Sequence, residues 1–142
     1  MNVANYIVNF LRYYRIKHVF TVAGGANLHL LNVIDQSKDI SYICTQHEQA
    51  AAMAADAYSR INGEIGVATT TSGPGAINLL NGVCSSFFDS IPSLMITGQV
   101  ASARLKGEQS VRQVGFQETD IVGMFEHDST IQSKDVAGSE LL

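Results

Sequence analysis

The stretch Ile65-Gly66-Val67-Ala68-Thr69-Thr70-Thr71-Ser72-Gly73-Pro74-Gly75 decides the fold class. Residues 65–70 are apolar or small without polar alternation, the pattern of a strand covered on both faces. Gly73 punctuates the run, and Pro74 suits the first position of a helix, where its missing N–H costs nothing. A strand over 65–70, a turn and a helix over 74–88 are therefore expected. The same alternation continues outward. Upstream, 18–22 is a short apolar run closed by Ala23-Gly24-Gly25, after which Leu28, Leu31 and Ile34 resume helical spacing; 40–44 then reads as a strand and 48–61 as a helix. Downstream, 93–97 reads as another strand. At the start, Val3, Ile7, Phe10, Leu11 and Tyr14 recur at helical spacing and predict an amphipathic first helix ending near Arg15.

Strands and helices in alternation, with the strands apolar throughout, predict an α/β fold: three layers, doubly wound, a mainly parallel sheet with helices on both faces. At 142 residues the chain fits one domain, 1–142. After Gly98 the periodicity fades. Residues 101–113 read as an exposed loop or loose helix, 121–125 as a short helical turn, and 129–132 as the start of a further strand.

Composition excludes several classes. Charged residues make up 15% and AVILMFWYC residues 46%, so a compact chain is expected and not a disordered one. Nine Lys+Arg against thirteen Asp+Glu give a net charge of −4 with no basic run, which argues against nucleic acid as a partner. No apolar run approaches the ~18 residues of a membrane span and no secretion signal is evident, so a cytoplasmic protein is expected. Cys44 and Cys84 form no CxxC pair and are expected to act as small buried hydrophobes.

Parallel α/β sheets gather ligands at the carboxyl ends of their strands. Three turns lie there: Ala23-Gly24-Gly25-Ala26, Thr45-Gln46-His47-Glu48 and Thr71-Ser72-Gly73-Pro74-Gly75. None carries a common short motif. No Lys completes a phosphate loop, and Asn78 stands where a dinucleotide fingerprint starting at Gly73 needs its last glycine. Ala51 breaks HExxH after His47-Glu48, and Ser72 is not flanked as in GxSxG. His18, His29 and His127 share no ligand spacing, so no metal site is expected in this chain. Thr45-x-x-Glu48 reads as a capping box, and a first-turn carboxylate alone favours the helix by ~0.3–1 kcal/mol. The residues that follow, Ala50, Ala51, Ala52, Met53, Ala54, Ala55 and Ala57, suit close packing on several faces. A carboxylate at the head of such a helix is expected to be partly desolvated and placed to share a proton.

Together, Thr45-Gln-His-Glu48-Gln-Ala-Ala-Ala, Tyr58-Ser-Arg60, Thr71-Ser-Gly-Pro-Gly75-Ala-Ile-Asn78, Asp89-Ser-Ile-Pro92, Thr97-Gly-Gln99 and Phe116-Gln117-Glu118 resemble, in order and spacing, the N-terminal pyrimidine-binding domain of thiamine diphosphate-dependent enzymes, acetolactate synthase-like. The resemblance spans about residues 2–125. It implies that Glu48 is the catalytic glutamate whose carboxylate hydrogen-bonds the ring nitrogen N1′ of the cofactor's aminopyrimidine, favouring the tautomer that takes the proton from thiazolium C2. Pro74 and Asn78 match residues lining the aminopyrimidine, Gly24 and Gly25 the glycine turn on the thiazolium side, and Gln117 a glutamine that reaches toward cofactor and substrate. The implied substrate is a small 2-oxo acid. Two departures leave its identity open: Ala23 stands where acetolactate synthases have Pro, and Arg112-Gln113-Val114-Gly115 replaces the usual stretch before Phe-Gln-Glu.

The resemblance also implies a second domain holding Mg²⁺ and the cofactor's diphosphate, marked by Gly-Asp-Gly, and this sequence has no Gly-Asp-Gly. The expectation is therefore half a site, completed by a diphosphate-binding domain in the same or another chain, within a homodimer or higher homo-oligomer. The chain reads as the N-terminal fragment of a longer enzyme. Alternatives are a stand-alone subunit resembling that of sulfopyruvate decarboxylase-like enzymes, and a non-catalytic binding module that has lost the cofactor.

Overall fold

The structure is a computed structural model describing residues 2–126. Its elements run α1 (Val3–Tyr13), β1 (His18–Thr21), α2 (Leu28–Asp35), β2 (Ser41–Cys44), α3 (Glu48–Asn62), β3 (Gly66–Thr70), α4 (Pro74–Ile77), α5 (Leu80–Phe88), β4 (Ser93–Thr97) and α6 (Ile121–Phe125), with a 3₁₀ turn at Ser102–Arg104. The four strands form one sheet in the order β2-β1-β3-β4, every pair parallel. Val19 of β1 lies beside Val67 of β3, and Ala68 beside Met95 of β4.

Alternate residues of β3 serve opposite faces. Val67 joins Val19, Leu11, Leu31 and Ile34 in a core between the sheet and α1 and α2. Ala68 joins Ala51, Ala52, Ala55, Leu79 and Val83 in a second core under α3 and α5, with Phe20 and Met95 packed against it. Helices thus cover both faces, the expected doubly wound arrangement. The alanines of α3 keep the layer thin, because a side chain ending at Cβ lets helix backbones approach closely.

One buried polar network ties the second layer together. Asp56 of α3 accepts hydrogen bonds from Arg60 one turn on and from Ser86 Oγ of α5 at 2.7 Å. Arg60 Nη2 also donates to Asp89 at 2.6 Å, just past the end of α5. The Arg60 guanidinium, aided by the Ser86 hydroxyl and opposed by burial, holds the Asp56 carboxyl below the ordinary aspartate range.

Several sequence expectations change. The helix expected over 74–88 is two helices, because Leu79 N–H bonds Ala76 C=O in a tight three-residue turn before α5 begins. On α1 the buried residues are Val8 and Leu11, while Phe10 and Tyr14 are 43% and 49% exposed and pack on each other with centroids 4.7 Å apart. Apolar composition also overstates burial at the sheet edge. β3 is buried at all five positions, whereas β2, an edge strand among the described residues, is exposed at Ser41, Ile43 and Cys44. Cys44 is consequently an exposed free thiol and not a buried hydrophobe, and Cys84 is half-buried. Residues 101–113 are irregular apart from the 3₁₀ turn, and 121–125 is helical. The strand expected at 129–132, and His127, lie outside the described residues.

Candidate functional site

From β1 the chain passes outward to β2, then returns across β1 to β3 and continues to β4. The switch of direction falls between β1 and β3, and the crevice beyond their carboxyl ends is where such sheets place ligands. Two turns meet in it. After β1, buried Asn27 organises the glycine turn: its Oδ1 accepts from Gly24 N–H at 2.8 Å, and its Nδ2 donates to Thr21 Oγ1 and Val22 C=O at 3.3 and 3.2 Å. After β3, Thr71 Oγ1 accepts from Ala26 N–H at 3.1 Å. A Cβ on Gly24 would stand 2.5 Å from Thr71 Cβ, so the two turns touch where Gly24 has no side chain.

The third turn supplies the head of α3. His47 is its N-cap, with Nδ1 accepting from Gln49 N–H at 3.1 Å. The capping box expected from Thr45 and Glu48 does not form: Thr45 is not the cap, and its hydroxyl donates to His47 C=O at 2.9 Å. Glu48 is therefore free of capping duty. Its half-buried side chain turns toward α4, where Oε2 accepts from Asn78 Nδ2 at 3.0 Å. A Cβ on Gly75 would lie 3.1 Å from Glu48 Oε1 and 2.8 Å from Thr71 Cγ2. Gly75 thus leaves room for the carboxylate, and among the described residues no hydrogen bond ends on Oε1.

Gln117 enters from the long loop after β4. Gly73 has φ +60° and ψ −122°, and a Cβ there would meet Gln117 C=O at 2.4 Å. Gln117 itself sits at φ +59°. Its backbone carbonyl and Cβ make the contact, and among the described residues no hydrogen bond of its side-chain amide joins the cluster. Pro74 occupies the first position of α4, as expected, and is exposed. Gly25 is also exposed, with open space where its Cβ would be.

Of the residues singled out in sequence, Glu48 and Asn78 bond directly, Gly24 and Gln117 each touch the Thr71–Gly75 turn, and Gly25 and Pro74 stand on the rim. Thr71, Gly75 and Asn27 complete the cluster without having been assigned a role. Asn27 had a local signal, an Asn closing a Gly-Gly turn before a helix; Thr71 and Gly75 act across the sheet and had none. Chemically, the cluster presents a carboxylate at a helix N-terminus with one oxygen held by an amide. That leaves the other oxygen for a partner able to donate or exchange a proton. Among the described residues no group of three His, Cys, Asp or Glu could hold a metal ion. No described helix is long and apolar enough to cross a membrane.

Comparison with known proteins gives this geometry a context. The family model for "Thiamine pyrophosphate enzyme, N-terminal TPP binding domain" matches residues 1–124. An acetolactate synthase of Arthrospira platensis is 40% identical over 121 residues, covering 83% of this chain and 20% of the relative. The acetolactate synthase large subunit of Pyropia yezoensis is 44% identical over 112 residues, 77% of this chain and 18% of the relative. The isozyme 2 large subunit of Escherichia coli (strain K12) is 42% identical over 126 residues, 87% and 21%. The chain spans about a fifth of the length of these relatives.

Proposed function

Since the chain belongs to the family of thiamine pyrophosphate enzyme N-terminal, TPP-binding domains, we propose that it supplies the aminopyrimidine-holding half of an acetolactate synthase-like enzyme acting on small 2-oxo acids. The observation that carries this reading is the Glu48 carboxylate, held on Oε2 by Asn78 and, among the described residues, left unbonded on Oε1 beside Gly75. The donor set fits thiamine diphosphate. A half-buried carboxylate oxygen suits a ring nitrogen that carries a proton, and Gly75 leaves the approach clear. When bound, the cofactor supplies a nucleophilic carbon and an electron sink for cleaving the bond beside a 2-oxo group.

The chain's own residues have the following parts. Glu48 Oε1 gives and takes a proton at the aminopyrimidine ring nitrogen, a general acid–base task. Asn78 fixes the carboxylate, so that little freedom is lost when the cofactor binds. Gly24 and Gly25 offer backbone without side chains on the thiazolium side, Pro74 sets the start of α4, and Gln117 borders the site from the far loop. Thr71 holds the β1 and β3 turns in register. Mg²⁺ and the diphosphate would belong to a diphosphate-binding domain, in the same or another chain.

Assembly as a homodimer or higher oligomer suits the large apolar side chains left exposed on α3 and α5, among them Met53, Ile61 and Phe88. A cytoplasmic setting suits an exposed, unpaired Cys44. The test combines this chain with a diphosphate-binding half, as the longer enzyme or as two chains, and follows deuterium exchange at the cofactor's C2. Exchange that depends on Glu48 supports the reading; exchange unaffected by Glu48→Gln overturns it.

A further inference from the structure

The loop after β4 leaves the sheet at Gly98 and returns to it at α6, and Glu118 is the side chain that closes it. Its two oxygens bind different limbs. Oε1 accepts from Lys106 N–H at 2.6 Å on the outgoing limb, and Oε2 accepts from Val114 and Gly115 N–H at 2.9 and 3.3 Å on the returning limb. Gly115 is pressed against Val100, where a Cβ would come 2.8 Å from Val100 Cβ, so the returning limb also packs on the root of the loop. The residue just before Glu118 is Gln117, whose carbonyl rests on Gly73.

We infer that Glu118 is a staple joining the two limbs of the 99–118 loop, and thereby a positioning residue that seats Gln117 on the turn carrying Gly73 and Gly75. A carboxylate can do this because both of its oxygens are acceptors; three backbone donors around one carboxylate make charge-assisted bonds. These bonds hold the Glu118 carboxyl below the ordinary glutamate range, the Lys106 N–H contributing most. The chemistry also sets the strictest substitution. Glutamine has the same length but only one acceptor, and its NH₂ would face an N–H on one limb, so it satisfies one limb and repels the other. A glutamate that merely filled space would be replaced by glutamine without effect.

The staple is independent of the role given to Glu48, whereas its consequence for substrate rests on that reading. The test has two readouts on the wild type, Glu118→Gln and Glu118→Ala. In the chain as it stands, amide hydrogen exchange at Lys106, Val114 and Gly115 should accelerate about tenfold or more in both variants, with the amides of β1 and β3 unchanged. Wild-type protection in Glu118→Gln overturns the staple, and so does acceleration spread equally through the sheet. In the enzyme assembled with its diphosphate-binding half, Glu118→Gln should raise KM for the 2-oxo acid several-fold while deuterium exchange at C2 keeps its wild-type rate. Unchanged KM and kcat with released loop amides overturn the positioning role. Exchange at C2 that Glu48→Gln leaves unchanged would instead overturn the reading of Glu48, leaving the amide result to judge the staple.

Discussion

Asn78 Nδ2 donates to Glu48 Oε2 at 3.0 Å, joining residues 30 positions apart, one at the head of the helix after β2 and the other at the end of the helix after β3, the two strands that flank β1. The bond leaves the carboxylate oriented and its second oxygen available. It is the pivot of the proposed chemistry, and it can be disturbed from either side.

Glu48→Gln keeps the length of the side chain, and its amide oxygen still accepts from Asn78, but it does not exchange a proton. A positioned acid–base group is worth ~10²–10⁴ in rate. In the completed enzyme, deuterium exchange at the cofactor's C2 should slow by that order. The thermal midpoint should move little, since a first-turn charge contributes at most about 1 kcal/mol.

Gly75→Ala tests the room beside Oε1. The added methyl would sit 2.8 Å from Thr71 Cγ2 and 3.1 Å from Glu48 Oε1, so the turn or the carboxylate has to shift. Overpacking of this kind costs ~1–3 kcal/mol. Urea denaturation should show a loss in that range, and an unchanged midpoint would mean that the turn yields freely.

Asp56 gives a pH dependence. Its folded-state pKa is depressed, chiefly by the hydrogen bond from Arg60, so its stabilising contribution is complete above the ordinary aspartate value and is lost as pH falls through the lower folded value. Asp56→Asn should cost ~1–3 kcal/mol at pH 7 by weakening bonds to Arg60 and Ser86. Denaturation curves run from pH 7 down to pH 2 should show the gap between wild type and variant close only at the acid end.

Thiamine diphosphate should bind this chain alone poorly. Most of the cofactor's charge lies on its diphosphate, which the proposed reading gives to a separate diphosphate-binding domain, leaving this chain the aminopyrimidine contacts. Titration calorimetry with cofactor and Mg²⁺ checks this: a micromolar Kd, about −8 kcal/mol, would place a diphosphate site within this chain.

Much of the architecture was legible locally. The uniform small-apolar run at 65–70 marked a strand buried on both faces, and Gly73-Pro74 marked the turn and helix start, because each feature depends on neighbours a few residues away. Glu48 stood out in the same way, as a carboxylate at the head of an alanine-rich helix. The cap was misassigned because Thr45 and His47 both have acceptors within reach of the first helical N–H groups, and which one is used depends on the backbone angle at which β2 delivers the chain. The helical face of α1 was blurred because Phe10 and Tyr14 fit the periodicity yet satisfy each other at the surface.

The sequence by itself determined the alternation of strands and helices, hence the parallel sheet, and the identity of the residues at the strand ends. Only the tertiary structure decided which of them meet. The order β2-β1-β3-β4 puts the β1 and β3 turns side by side, so Thr71 reaches Ala26 and Gly24. α4 ends at Ile77, and the tight turn at Leu79 leaves Asn78 between the two helices, where its amide reaches Glu48. The physical reason is that periodicity reports what each segment buries, whereas these contacts follow from strand order and the close approach of alanine and glycine backbones, distances that no local pattern encodes.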